Sequence, residues 1–298
     1  MVNCTCKQCA EKPPLWWLDF TAEKQVITKD GVAELFAETE AKAVRQFADG
    51  IQRQLEQSMQ EVANQLSNSI RSGDTISVNE LQAVQEKLRQ ASKKLIENLA
   101  DTAKPYAQTI AEAGLNHGAS LLPDGSFDMG LLSDRASQAV VEAAKRSAVR
   151  MANSVSSSFA DSIASKIGIG IQDNLTGLEV ADLLEESGLS ADRAMMIART
   201  ESARAYTDGQ NIAWDESGVV KGKKWLVSPN ACEFCLAAQA EFGQNYIPLD
   251  QPFYERGAVL NVGGKTMALD FDATSGAPLH PNCRCTVIPE IDYEGEQE

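Results

Sequence analysis

Cys232-Glu233-Phe234-Cys235 and, 45 residues further on, His280-Pro281-Asn282-Cys283-Arg284-Cys285 are the stretches that decide how the last third of this chain folds. A C-x-x-C pair lets two sulfurs face one ion, and His280 with Cys283 repeats that spacing. Two such pairs supply the sulfur and nitrogen donors that zinc prefers, at roughly 2.0–2.3 Å in a tetrahedron. The candidate metal ligands are Cys232, Cys235, His280, Cys283 and Cys285, five donors for four places. Cys232, Cys235, His280 and Cys283 form the preferred set. Cys285 lies two beyond Cys283, so an extended segment turns it the same way and it can replace Cys283. A lone C-x-x-C also suits a redox pair; the second cluster is what points to metal. Enough donors are present to close the shell, and neither H-E-x-x-H nor H-x-E occurs, so the expected zinc is structural rather than catalytic. Residues 219–290 include few large apolar side chains, and a metal cross-link stabilises what such a core cannot.

The chain has 298 residues, of which 43% are hydrophobic and only 6% aromatic. That length suits two domains, and that composition suits long helices better than a sandwich or barrel. No apolar stretch approaches a bilayer span, and Cys4, Cys6, Lys7 and Cys9 occupy the place of a signal core. The reading is a soluble protein, made and folded in a cytoplasm. A net charge of −15 argues against coating nucleic acid through a global field. Seven cysteines in two tight clusters do not resemble a distributed disulfide framework.

Residues 1–20 read as a tail. Its Leu15-Trp16-Trp17-Leu18 is either a docking segment or packing for the first helix. Cys4, Cys6 and Cys9 are either free thiols or three donors for a second metal, with His117 the spare histidine. A long helix follows, marked by Val44, Phe47, Ile51, Leu55, Met59, Val62, Leu66 and Ile70 at spacings of three and four. Gly73-Asp74 breaks it. Ser77 and Glu80 form a capping box for a second helix with the stripe Leu81, Val84, Leu88, Leu95 and Leu99, which Pro105 ends or kinks. Pro123-Asp124-Gly125 marks a turn. A third helix starts near Ser133 or Asp134, buries Ala148, Met151, Val155, Phe159 and Ile163, and closes at Gly168 and Gly170. Residues 175–187 form a short helix capped by Asn174 or Thr176. Another runs from Ser190 through Trp214 until Gly218 stops it, with Glu201, Arg204 and Asp208 as a charge ladder.

Beyond Gly218 the pattern changes to turns and short strands, at 219–227 and at Thr286-Val287-Ile288 before Pro289. Lys221, Lys223 and Lys224 form a small basic strip, the kind that is usually a solvated edge. Gly263-Gly264-Lys265-Thr266 resembles the end of a phosphate loop, but Val259 stands where its first glycine belongs and no helix pattern follows. The stretch reads as a hairpin turn. With His280 claimed by metal, a Ser-His-Asp or Cys-His triad is hard to build.

Four blocks, in order, carry a family resemblance: Ile197-Ala198-Arg199-Thr200-Glu201; Gly218 leading to Lys224-Trp225; Cys232-Glu233-Phe234-Cys235; and Leu279-His280-Pro281-Asn282-Cys283-Arg284-Cys285. From about Leu189 to Pro289 the chain resembles the Mu F-like phage head morphogenesis family, minor head proteins of tailed bacteriophages. The resemblance implies a minor capsid protein in few copies, located in the virion head near the portal vertex and assembled in the bacterial host cytoplasm. It implies portal protein as partner, with major capsid or scaffolding protein and packaged DNA as further contacts, no membrane and no enzymatic activity. It carries over Arg199, Thr200 and Glu201 as a buried polar network tying helix to zinc module. The cysteines at 4–9 are not part of that pattern.

The expected fold class is α+β: an elongated, mainly α-helical N-terminal domain, then a small α+β zinc-stabilised C-terminal module. The expected divisions are a tail (1–20), a long-helix domain (21–172), the head morphogenesis domain (173–290) and an acidic tail (291–298). The alternatives are a zinc-containing enzyme of ADP-ribosyltransferase-like type and a DNA-binding protein inside the capsid.

Overall fold

Apolar stripes at helical spacing dominate the first two thirds of the chain, and the computed structural model turns them into long helices. It describes residues 32–69, 78–123, 134–173, 175–185, 191–228, 231–269 and 273–291. The helices are α1 (Val32–Ser69), α2 (Val78–Ser120), α3 (Asp134–Gln172), α4 (Gly177–Glu185) and α5 (Ala191–Ser217). After Gly218, whose φ of +68° ends α5, come β1 (Val220–Leu226), α6 (Glu233–Phe242), β2 (Ile247–Pro248), β3 (Ala258–Val262), β4 (Lys265–Leu269) and β5 (Thr286–Ile291). The described chain is therefore mostly helical with a small sheet region near its end, consistent with α+β.

The stripe residues Val44, Phe47, Ile51, Leu55, Met59 and Val62 are all buried, as are Leu95 and Leu99 of α2 and the five expected of α3. The tail at 1–20, the break at Gly73-Asp74, the capping residue Ser77, the turn residues Asp124 and Gly125 and the acidic tail from Asp292 lie outside the described residues.

Three local expectations change. Pro105 does not end its helix, because α2 runs on to Ser120. A proline removes one intrahelical hydrogen bond, and here buried Ala103, Ala107 and Ile110 hold the helix on both sides of it. Gly168 and Gly170 lie inside α3. A Cβ at Gly170 would come within 2.3 Å of Val180 Cγ2, so this glycine admits α4 rather than stopping α3. Strand β5 passes through Pro289, which is tolerated because β5 is an edge strand.

Contacts divide the chain into two compact units that do not follow chain order. One comprises Met1–Val44, Tyr106–Ala144 and Met196–Glu298; the other comprises Arg45–Pro105 and Lys145–Met195. The long helices α1, α2, α3 and α5 each contribute to both, since their stripes outlast a single unit. The expected division at 172–173 falls inside the second unit.

Within that second unit, α1 and α2 meet where Gly50 faces Thr102, and Ser156 of α3 donates to the Ser92 carbonyl of α2 at 3.0 Å. Thr176 caps α4 in a capping box: its backbone N–H and hydroxyl both donate to the Glu179 carboxylate, at 2.7 and 2.8 Å.

Within the other unit, α2 and α5 cross at backbone contact. A Cβ on Gly209 would lie 2.0 Å from the Ala111 carbonyl oxygen, and one on Gly114 would lie 1.9 Å from that of Tyr206. The Trp214 indole N–H donates to the Gly118 carbonyl at 3.1 Å. The strands of this unit form a sheet of order β2-β1-β5, antiparallel throughout, and a separate β3-β4 hairpin. Gly263 and Gly264, at φ 57° and 77°, make the hairpin's two-residue turn, as the sequence suggested.

This crossing gives a test. Gly209→Ala should lower stability by about 2 kcal/mol or more although alanine favours helix, because the obstacle is backbone. Gly168→Ala, with nothing within 4 Å of its Cβ, should gain up to about 1 kcal/mol. Urea denaturation of both variants checks this; equal effects would refute the contact.

Candidate metal centre

The C-x-x-C motif straddles a helix start. Cys232 is the N-cap of α6, with φ −72° and ψ 166°, and Cys235 lies one turn on. One turn puts both sulfurs on the same side. The positive end of the helix dipole favours thiolate there.

The second motif is a turn. The Cys283 N–H donates to the His280 carbonyl at 3.0 Å. Pro281 and Asn282 fill the middle, and Asn282 has φ 58°. Proline second and a left-handed residue third are the choices of a type II turn. The turn folds Cys283 back toward His280. Beyond it, Cys283, Cys285 and Val287 are buried while Arg284 and Thr286 are only half-buried. That alternation turns both cysteines inward.

Two long-range hydrogen bonds seat the turn on α5. The Asn282 N–H donates to Thr200 Oγ1 at 3.3 Å, and the Thr207 hydroxyl donates to the Ala277 carbonyl at 2.7 Å. Thr200 is buried, and its hydroxyl also donates to the Met196 carbonyl. Glu201 pairs with Arg204 at 3.6 Å. Of the three residues expected to join helix and module, Thr200 is the one that makes a described hydrogen bond to the turn.

The five expected donors form one cluster. Cys232, Cys235 and His280 place their ligand atoms within 4.8 Å of one another, and so do Cys235, Cys283 and Cys285. Cys235 belongs to both groups. His280 Nε2 is 3.1 Å from Cys232 Sγ and 3.3 Å from Cys235 Sγ, and Cys235 Sγ is 3.6 Å from Cys283 Sγ. His280 Nδ1 donates to the Pro281 carbonyl at 2.8 Å, which directs Nε2 at the sulfurs. His280, Cys235, Cys283 and Cys285 are buried and Cys232 is half-buried. This set can hold a metal ion.

The electrostatics favour a cation. Hydrogen bonds from Cys235 and His280 hold Cys232 down to about 4. Cys285 is held to about 4 by the Cys235 and Cys283 thiols, with help from the Ser228 backbone. Cys235, surrounded by these sulfurs, is pushed far up. Burial alone would lower His280, but its contact with Cys232 and the charges of Cys283 and Cys232 hold it at about 9. Thiolates gathered this closely share protons, and a metal ion takes the place of such protons.

Lys223 is a core residue that its charge conceals. It is only 1% exposed; its ammonium donates to the Leu249 carbonyl at 2.9 Å and lies 5.7 Å from the centre of the Phe253 ring. Trp225 meets the same ring edge-on at 5.3 Å. Lys224 pairs with Glu290 at 2.6 Å. The basic strip expected at Lys221, Lys223 and Lys224 is thus broken: Lys221 is exposed and Lys224 half-buried, but strand alternation sends Lys223 inward. His117 lies on α2 against Gln210, 3.3 Å away, and Tyr206. Cys4, Cys6 and Cys9 fall outside the described residues.

No family model, curated protein or solved structure matches the chain. Among the described residues, no helix is long and apolar enough to cross a membrane.

Lys223 gives a pH signature. Burial pushes its ammonium from 10.5 down to about 8, against the pull of Asp208 and Asp250. Between these values the unfolded chain binds the more protons, so stability rises with pH across that window and is lost as pH falls through about 8. The rise should be roughly 1–3 kcal/mol and should be missing in Lys223→Met. Denaturant titrations at about pH 8 and about pH 10 measure it; an identical pH response in the variant would rule it out.

Proposed function

We propose that this chain is a minor head protein of a tailed bacteriophage, acting in head assembly at the portal vertex, with a structural zinc clamping its C-terminal module. The observation that carries the reading is convergence. Four separated blocks bear the resemblance, and they meet in one compact unit. Thr200 accepts a hydrogen bond from Asn282, Trp225 pairs with Val287 in the sheet, and Cys232 and Cys235 meet His280 and Cys283.

The donor set fits zinc. A tetrahedral ion with bonds of about 2.0–2.3 Å separates two sulfurs by about 3.8 Å and a sulfur from a nitrogen by about 3.5 Å. Three separations come near these, 3.6 Å for Cys235–Cys283 and 3.1 and 3.3 Å for Cys232–His280 and Cys235–His280, and closing the shell brings Cys283 or Cys285 nearer to Cys232 and His280 than the structure places them. The two donor groups contain cysteine and histidine and no carboxylate, which favours a closed shell over a catalytic one. Bound there, zinc supplies a cross-link between the start of α6 and the turn at 280–283.

The clamp holds a module, and the module serves assembly. Portal protein is the proposed partner, with major capsid or scaffolding protein and packaged DNA as secondary contacts. The proposed location is the virion head near the portal, after assembly in the host cytoplasm. A DNA-binding reading would need the basic strip, and Lys223 is buried.

Two measurements test this. Replacing Cys232 and Cys235 by serine, or stripping the metal with a chelator, should remove zinc by elemental analysis and unfold the module, read by loss of protease resistance. A folded, zinc-free variant would refute the structural role. The intact chain should co-purify with portal protein and appear in virions at low copy number; its absence from both would refute the assembly role.

A further inference from the structure

Five donors converge where a tetrahedral ion takes four, and the way the fifth arises limits what it can do. Cys232, Cys235 and His280 form one mutually close group, and Cys235, Cys283 and Cys285 form another. Cys283 and Cys285 are both gathered on Cys235, the sulfur that the two groups share, so the two thiols compete to join the first group.

Their competition follows from backbone geometry. The segment after the turn alternates, with Cys283 5%, Cys285 3% and Val287 0% exposed. Residues two apart on an extended chain share a face. The zipping of β5 onto β1, with Val287 opposite Trp225 and Thr286 opposite Leu226, fixes that face inward. Neither thiol can be turned out without breaking the register. A cysteine side chain has one rotatable bond to its sulfur, so each thiol swings about a single axis.

We propose that Cys283 and Cys285 are interchangeable fourth ligands, so that the clamp keeps its ion when either one is lost. The inference rests on the metal reading above and adds redundancy to it. In the loaded protein one thiol remains buried beside the ion. The ion can then exchange one sulfur for the other without leaving the protein. Alkylation or oxidation of one cysteine leaves a complete set of three sulfurs and one nitrogen.

The test uses the full chain with Cys283→Ser, Cys285→Ser and the double variant. Each is loaded with Co2+, and the thiolate-to-cobalt charge-transfer intensity is read per bound ion, alongside metal stoichiometry. Both single variants should bind one ion with the wild-type intensity of three thiolates and an affinity within about tenfold of wild type. The double variant should lose a thiolate and about a hundredfold or more in affinity. A single variant whose intensity falls to two thiolates would mark that cysteine as a fixed ligand and overturn the proposal. A double variant with undiminished intensity would overturn it as well, since neither cysteine would then be a ligand. Wild type that binds no ion would instead defeat the clamp itself, a failure visible before any variant is compared.

Discussion

The small module after Gly218 depends on one constraint: two segments 45 residues apart must meet at Cys235. Its strands are short, β2 having two residues and β3 and β4 five each. Elements of that size bury too little apolar surface to hold themselves together. The cluster joins the start of α6 to the turn that leads into β5. Hydrogen bonds from Asn282 and to Ala277 then fix that turn to α5. Sheet register, turn and helix start are therefore different views of the same junction.

The helices obey a different rule. Their cores are built largely from alanine, with glycines where backbones touch. Small residues bury little area each, but they let helices approach until carbonyl oxygens and Cα atoms are in contact. At the α2–α5 crossing the fit leaves no room for a methyl group at Gly114 or Gly209. Dispersion over such close surfaces substitutes for large side chains.

Much of this was legible in the residues. Apolar spacing gave the long helices, because a 3.6-residue period has little competition over ten turns. Thr176 and Gly218 marked boundaries since each has one dominant conformational use. Cys232, Cys235, His280, Cys283 and Cys285 could be gathered from spacing alone. Three kinds of feature were not legible. Pro105 and Pro289 stand in regular structure because neighbours outweigh their local cost, and a local rule does not see neighbours. Lys223 is core because strand alternation overrides its charge. The division into units is hidden, since a stripe records that a face is buried and not what buries it.

The separation of the two ligand pairs along the chain also sets an order of events. Translation delivers Cys232 and Cys235 before His280, Cys283 and Cys285. During that interval the C-terminal cluster offers only a pair of thiols, a weak and exchangeable perch for an ion. An ion held there would be committed only when the 280–285 turn arrives. Any metal capture at this cluster would thus come late in synthesis, and a chain interrupted between the two pairs would carry a half-built donor set.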